Sequence, residues 1–354
     1  MTALSRRIAA LSQRRGRPGL SPVRWTPPAA PARAARTASD PPAEVDVIAV
    51  PGNSTEDVLI DTDASVLTAV RDGRILRISA DGGRIDEVAS TGGRGLGLEL
   101  HPDGGLVVCD VERGLLRVHL SDSVGSGSEV GCRVEVLVAD IDGVPMRFCN
   151  NCAVAGDGTI YFTDSSTHFG IEEYKADLLE HAGTGRLFRR DPDSGVTVLL
   201  DGLHFPNGVA LAGDESYLVF AQTGEYSIDR LWLSGPRAGE RERFVANLPG
   251  FPDNVSLGSD GLFWVALPSP RNRALDLLST RPGILRRVAW ALPAALQPRE
   301  GRTVFVQAFD GNGRLVHDLQ QPNRDFYMVS GVRERDGVVW LGSLECSAIG
   351  RIVL

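Results

Sequence analysis

The chain has 354 residues, of which 42% are hydrophobic, and its formal net charge is −8. This length suffices for one large buried core, and the negative charge argues against nucleic-acid binding, which depends on basic surfaces. Five cysteines without zinc-ligand spacing argue against structural zinc, and their odd number favours a reducing compartment.

Residues 1–43 differ from the rest of the chain because they are rich in Ala, Pro and Arg. We expect a disordered basic tail here, since such a segment has too little apolar surface to order itself. No apolar run follows Arg6 and Arg7, so we expect neither a cleaved signal peptide nor a membrane span, and predict a cytoplasmic protein. A short basic amphipathic helix over residues 3–14 would allow weak contact with an anionic membrane surface.

Residues 44–354 have the pattern of a single all-β domain. Short apolar strands alternate with turns rich in Gly, Asp and Pro, which is typical of antiparallel sheets. Residues 44–50 alternate in polarity and residues 350–354 form a second strand-like stretch. We expect these two segments to pair. In β-propellers, the architecture that the spacing described next predicts, a strand from one end of the chain commonly completes the last blade.

A repeated local pattern predicts the number of blades. An oxygen-bearing side chain directly precedes or opens an apolar strand at Glu56, Asn150, Asn207 and Asp253, at successive spacings of 94, 57 and 46 residues. Propeller blades repeat at roughly 40–50 residues. The spacings therefore fit two blades, one blade and one blade ahead of Asp253. Asp253 opens a fifth blade, interrupted at 268–300, and a sixth runs from about residue 326 to residue 354, so the pattern predicts a six-bladed β-propeller.

The same four residues predict a metal site. Inner strands of a propeller begin near the central channel, so these side chains should meet on its axis. Two carboxylates and two amide oxygens suit a hard divalent cation, calcium best and other divalent cations less well. Any one of them alone would more often be a turn former. Their neighbours Asp57, Asn151 and Asn254 are candidates for direct or outer ligands.

Two insertions predict a helical lid over the channel mouth. Helical periodicity appears in residues 171–180, and again in 274–278 and 285–292 within an insertion at 268–300. The CxxC pattern at Cys149 and Cys152 lacks a following helix signal. We therefore interpret these two cysteines as strand residues rather than a redox motif.

Around the predicted metal ligands and in several strands, the chain resembles a known group, the strictosidine synthase-like branch of the six-bladed calcium propellers. That group also includes gluconolactonase, paraoxonase and diisopropylfluorophosphatase. The phrases that carry the resemblance are Phe148-Cys149-Asn150-Asn151, Tyr161-Phe162-Thr163-Asp164, Phe205-Pro206-Asn207-Gly208-Val209, Pro249-Gly250-Phe251-Pro252-Asp253-Asn254 and Gly337-Val338-Val339-Trp340-Leu341. The resemblance covers about residues 44–354.

The resemblance implies roles for the candidate residues. Asp253 matches the acid/base or nucleophilic carboxylate of the group, and Glu56, Asn150 and Asn207 match the other calcium ligands. Asn151 departs from the Asp often found there, which would weaken calcium binding. Relatives in this branch often carry a membrane-spanning helix before a Trp-Thr-Pro-Pro phrase; this chain has Trp25-Thr26-Pro27-Pro28 without such an apolar stretch.

Other catalytic residues of the group match less well. Leu96 stands where paraoxonase carries a catalytic histidine, which leaves His168 and His204 as further catalytic candidates. Ser330 stands where the plant strictosidine synthases carry their key glutamate. Strictosidine synthase activity is therefore not expected.

Together these features predict a calcium-dependent hydrolase acting on a small-molecule lactone or ester. The alternative is a non-hydrolytic propeller, either a condensing or cyclising biosynthetic enzyme or a binding protein stabilised by its metal. The sequence leaves the oligomeric state open.

Overall fold

The structure is a computed structural model that describes residues 17–36, 38, 39, 41, 44–120, 132–293 and 301–354. Six four-stranded antiparallel sheets account for nearly all of its strands. The first strand of each sheet contacts the first strand of the next, and the sixth contacts the first. The sheets therefore form a closed ring, which confirms the predicted six-bladed β-propeller.

The first three blades follow the chain in simple order, with the innermost strand first. Their strands are β2 (Leu59–Ile60), β3 (Val66–Ala69), β4 (Arg74–Ile78) and β5 (Ile85–Ser90); β6 (Gly95–Leu100), β7 (Leu106–Asp110), β8 (Gly114–His119) and β9 (Arg133–Val138); and β12 (Cys149–Val154), β13 (Ile160–Asp164), β14 (Gly185–Arg190) and β15 (Val196–Leu203). A separate small hairpin, β10 (Asp140–Ile141) with β11 (Val144–Pro145), lies between blades two and three.

Blades four to six repeat this order. Their strands are β16 (Pro206–Leu211), β17 (Tyr217–Gln222), β18 (Ser227–Trp232) and β19 (Arg241–Val245); β20 (Val255–Leu257), β21 (Phe263–Ala266), β22 (Thr303–Phe309) and β23 (Leu315–Pro322); and β24 (Val329–Arg335), β25 (Val338–Ser343) and β26 (Ala348–Val353).

The fourth strand of blade six comes from the other end of the chain. Strand β1 (Asp46–Ala49) pairs antiparallel with β26, from Asp46 opposite Arg351 to Ala49 opposite Ala348. This confirms the predicted closure. Pairing covers the edge of β26 that would otherwise expose unpaired backbone groups.

Glycine allows the inner strands to approach each other closely. A Cβ atom at Gly208 in β16 would lie 2.2 Å from the backbone nitrogen of Val255, and one at Gly97 in β6 would lie 2.6 Å from the Cα of Asn151. No side chain fits at either place. Blades four and five, and blades two and three, can therefore touch directly around the axis.

Among the described residues of the two insertions where a lid was predicted, three helices lie outside the sheets. They are α1 (Tyr174–Glu180), preceded by a 3₁₀ turn at Ile171–Glu173, α2 (Arg273–Ser279) and α3 (Gly283–Ala291). Asn272 caps α2 by accepting from the backbone nitrogens of Ala274 and Leu275. We call these three helices the lid.

An N-terminal segment, residues 17–36, lies across the lid, and we call it the strap. Its backbone nitrogens donate to the ends of two lid helices, Val23 to the carbonyl of Glu180 (2.8 Å) and Trp25 to that of Ser279 (3.2 Å). Leu20 is buried with Phe169, Ala176 and Trp290. The far end of the strap reaches blade five, where Arg33 pairs with Asp318.

Residues 17–36 of the predicted tail, which spans residues 1–43, thus contact the lid in the structure. The composition of a segment, here rich in Ala, Pro and Arg, does not show the bonds that the rest of the chain supplies to it. The strap is held instead through its carbonyls, which accept from Arg286, Arg287 and Trp290 of α3. Residues 1–16, including the predicted amphipathic helix at 3–14, lie outside the described residues.

Within the described part of the chain, no helix combines the length and the apolar character needed to cross a bilayer.

Candidate functional site

A cavity of about 410 Å³ lies between the inner ends of the blades and the lid. Its floor includes the four predicted metal ligands, and its walls include Phe148 and Phe205 together with apolar residues of all three lid helices. The rings of Phe148 and Phe205 meet edge to face at 5.2 Å. This volume suits a small organic molecule enclosed mainly by apolar side chains.

The structure brings all four predicted ligand residues, Glu56, Asn150, Asn207 and Asp253, to this one cavity. Glu56 and Asp253 lie just before the innermost strands of blades one and five, whereas Asn150 and Asn207 lie within those of blades three and four. All four are at least 95% buried. They share the cavity because each occupies the same end of an innermost strand.

Each of these side chains has a buried oxygen without a hydrogen-bond partner. The four atoms are Glu56 Oε2, Asn150 Oδ1, Asn207 Oδ1 and Asp253 Oδ1. Leaving a buried acceptor unpaired costs about 1–3 kcal/mol, so four in one cavity require an explanation. A bound cation supplies one, because carboxylate and amide oxygens are the ligands that hard divalent cations prefer.

The two amides are also held in the orientation that a metal ligand needs. Asn150 Nδ2 donates to Ser165 Oγ at 2.8 Å, and Asn207 Nδ2 donates to Thr223 Oγ1 at 3.4 Å. With the nitrogens anchored, the oxygens remain available. The donor set thus fits a divalent cation, although the described residues include no cluster of three or more His, Cys, Asp or Glu suited to a metal ion.

Burial dominates the electrostatics of the two carboxylates. It raises the pKa of Glu56 to about 7, with the Arg94 guanidinium opposing the shift. It raises the pKa of Asp253 well above the usual value, and the neighbouring Glu56 carboxylate adds to this. Both groups therefore gain from a positive charge placed between them.

The neighbouring residues Asp57, Asn151 and Asn254 form a second polar layer that does not line the cavity. Both Asp57 oxygens are occupied, Oδ1 by the Val58 nitrogen (2.9 Å) and Oδ2 by the Leu98 nitrogen (3.1 Å). Asn151 Nδ2 donates to Asn254 Oδ1 at 3.1 Å. These contacts link the innermost strands of different blades, so the three residues support the site rather than supply direct ligands.

The two candidate histidines lie away from the cavity lining. His168 is half exposed and its Nδ1 lies 2.8 Å from Glu180 Oε1. His204 stacks on His181, with ring centroids 4.0 Å apart. Each lies on a loop outside the lining, where His168 contacts Glu180 and His204 contacts His181. Their catalytic role therefore stays a prediction from the sequence.

Sequence reasoning missed Arg94, whose buried guanidinium lines the cavity beside Glu56. Arg94 directly precedes β6, so it occupies in blade two the position that Glu56 or Asp253 occupies in other blades. The repeated pattern that predicts the metal site is defined by oxygen-bearing side chains and therefore excludes an arginine. The same repeat, read for any polar side chain, would have found it.

The sequence matches the family model described as Strictosidine synthase over residues 150–236. It is 37% identical to STRICTOSIDINE SYNTHASE-LIKE 13 of Arabidopsis thaliana over 64% of this chain, spanning 56% of that protein's length. It is 32% identical to the adipocyte plasma membrane-associated protein of Rattus norvegicus over 82% of this chain and 80% of that protein. The chain belongs to the strictosidine synthase-like family.

Members of other propeller groups share the fold of this strictosidine synthase-like chain. A gluconolactonase from Xanthomonas campestris superposes with a TM-score of 0.63 at 19% identity, covering 95% of this chain and 97% of that one. The calcium-binding protein regucalcin from Agrobacterium tumefaciens superposes with a TM-score of 0.58 at 12% identity, covering 88% and 94%. At these identities the similarity establishes the fold alone.

Proposed function

We propose that this strictosidine synthase-like propeller is a calcium-dependent hydrolase of small lactones or esters. The observation that carries the proposal is the set of four unpartnered, buried oxygens on the floor of one cavity. The names of two structural neighbours, a gluconolactonase and a calcium-binding regucalcin, agree with the proposed chemistry.

Glu56, Asn150, Asn207 and Asp253 would hold the ion, one oxygen each. Four protein ligands leave positions open, because calcium takes six to eight. A calcium ion held there would supply Lewis-acid polarisation of a carbonyl oxygen.

Asp253 is the proposed general base. Beside the cation this buried carboxylate would be held ionised, so it could accept a proton from the water that attacks the ester carbon and return it to the leaving alkoxide as the C–O bond breaks. Phe148, Phe205 and the apolar faces of the lid would hold the organic part of the substrate and exclude bulk water. In this proposal, residues of the floor transfer the proton and residues of the walls bind the substrate.

The alternative of a strictosidine-type condensation finds less support. Ser330 is fully buried, and its hydroxyl donates to the backbone carbonyl of Glu56 at 2.7 Å. The side chain therefore braces the metal-ligand segment and does not line the cavity. A non-catalytic, metal-stabilised propeller would instead bind calcium without turnover.

The test is a hydrolysis screen of the purified full chain with a γ-lactone, an aryl ester and a phosphotriester, with calcium and with chelator. We expect hydrolysis of at least one lactone or ester that chelator abolishes and added calcium restores. Calcium binding without hydrolysis of any substrate would favour the metal-stabilised scaffold, and hydrolysis indifferent to chelator would contradict the proposal.

We also propose that the protein is cytoplasmic and that residues 3–14 make weak contact with an anionic membrane surface. Fractionation of cells that express the full chain checks both, since a salt-sensitive share in the membrane fraction is expected only if the basic segment binds lipid.

A further inference from the structure

The Arg94 guanidinium is a buried cationic group in the cavity lining that the proposed hydrolysis does not use. The Arg94 residue is only 8% exposed. Its Nη2 donates to Ser54 Oγ at 3.3 Å and its Nη1 to Glu172 Oε1 at 3.2 Å, whereas its buried Nε has no hydrogen-bond partner. A buried guanidinium with an unused donor is costly unless an anion completes it.

The partner that Arg94 does have is loosely held. Glu172 lies in the 3₁₀ turn ahead of α1, and its side chain is 65% exposed. The same carboxylate oxygen accepts a shorter bond, 2.6 Å, from the exposed Arg71. Exposed ion pairs contribute little stability. Glu172 can therefore remain on Arg71 while another anion replaces it on Arg94.

The charges that line the cavity favour an anionic ligand once the axial site is filled. The lining contains four carboxylates, on Glu56, Asp253, Glu172 and Glu345, and three cationic side chains, on Arg71, Arg94 and Lys175. A divalent ion on the floor turns the resulting single negative charge into a single positive one. A monoanion balances that charge.

We propose that Arg94 determines substrate specificity by binding a carboxylate on the non-reacting part of the substrate. The preferred substrates are then lactones or esters that carry an acidic group at one end and an apolar body between that group and the reacting carbonyl. The apolar body contacts Phe148, Phe205 and the lid. This inference rests on the proposed function for the position of the reacting carbonyl on the floor.

The test measures binding rather than turnover, so it is independent of whether hydrolysis is found. Isothermal titration of the calcium-loaded full chain compares 4-phenylbutyrate with 4-phenylbutanol, which share an apolar body and differ in charge. We expect wild type to bind the acid about tenfold or more tightly than the alcohol. Arg94→Gln should reduce this preference to about twofold or less, and the control Arg281→Gln, which changes an exposed arginine outside the cavity lining, should retain it.

A second variant tests the same claim from the opposite side. Glu172→Gln removes the competing carboxylate and leaves Arg94 in place, so it should tighten binding of the acid several-fold without changing that of the alcohol. Retention of the acid preference in Arg94→Gln would place the carboxylate on the calcium ion and overturn the proposal. An absent preference in wild type, or an unchanged acid affinity in Glu172→Gln, would overturn it equally.

Discussion

The floor and the lid of the cavity are built in different ways. The floor consists of the inner ends of six sheets, joined by buried hydrogen bonds such as Asn151 to Asn254 and by glycine contacts between strands. The lid consists of three short helices in two insertions, and the strap contacts all three.

This difference separates two tasks. Metal binding requires that the ligand oxygens keep fixed positions. The floor meets this requirement because many buried strands determine the position of each oxygen. The lid and strap rest on a few local bonds and can differ in stability from the propeller. We therefore expect floor substitutions to affect metal binding, chemistry and global stability, and lid substitutions to affect access and local opening.

The largest expected effect comes from Asp253→Asn on the floor. The change keeps size and one oxygen ligand but removes charge and basicity, so turnover at saturating calcium should fall about 100-fold or more, the usual scale for a lost general base. Initial rates on a substrate found in the screen measure this. His168→Ala is the control, because His168 lies off the cavity, and should stay near wild type. Wild-type turnover in Asp253→Asn would assign the chemistry to another group.

Asn151→Leu tests the polar layer beneath the floor. Leucine has a similar shape, but it leaves the Val209 nitrogen without the Asn151 Oδ1 that it now contacts at 3.2 Å. We expect a loss of about 2–4 kcal/mol in the free energy of unfolding, measured by urea denaturation. The exposed Asn53→Leu should change it by less than about 0.5 kcal/mol. Equal stability of the two variants would show that the layer contributes nothing specific.

Arg286→Met tests the lid. The guanidinium of Arg286 is fully buried and donates to the carbonyls of Leu179 at the end of α1 (2.9 Å) and of Val23 in the strap (2.8 Å). Its loss should cost about 2 kcal/mol locally and speed amide hydrogen exchange in α3 and in the strap, while calcium affinity stays unchanged. The exposed Arg281→Met serves as the control. Faster exchange spread evenly over the blades would contradict a separately stable lid.

The smallest expected effect concerns pH at the strap. His181 is stacked between Trp25 and His204, and burial lowers the pKa of His181 to about 3. The unfolded chain takes up a proton below about pH 6.5 and the folded chain does not, so stability falls as the solution is acidified. Between pH 6.5 and 5.5 this amounts to about 1 kcal/mol.

His181→Asn removes that titration and tolerates the left-handed backbone of residue 181, whose φ is +54°. The variant should lose about 1 kcal/mol less than wild type over the same pH interval, measured by denaturation at both pH values. Identical pH dependence would show that the imidazole is not buried in solution.

The sequence predicted the floor better than the lid and its surroundings. Blade spacing located Glu56, Asn150, Asn207 and Asp253, because the fold repeats the same strand end and the residue types report the chemistry. It could not locate the strap, whose bonds come from side chains of a helix more than 240 residues away, such as Arg286 to Val23. His168 and His204 lie outside the cavity lining, because the direction of a loop side chain depends on contacts with distant parts of the chain that the sequence does not show.

One calorimetric measurement tests the central claim most directly: titration of the chelator-treated full chain with calcium. We predict one calcium ion per chain in wild type and in Glu345→Gln, which alters an exposed carboxylate of the same cavity. Glu56→Gln, which removes a charge from the floor at nearly constant size, should lower the affinity at least tenfold. Absence of calcium binding in wild type, or equal affinity in Glu56→Gln, would contradict a metal centre built from the four unpartnered oxygens.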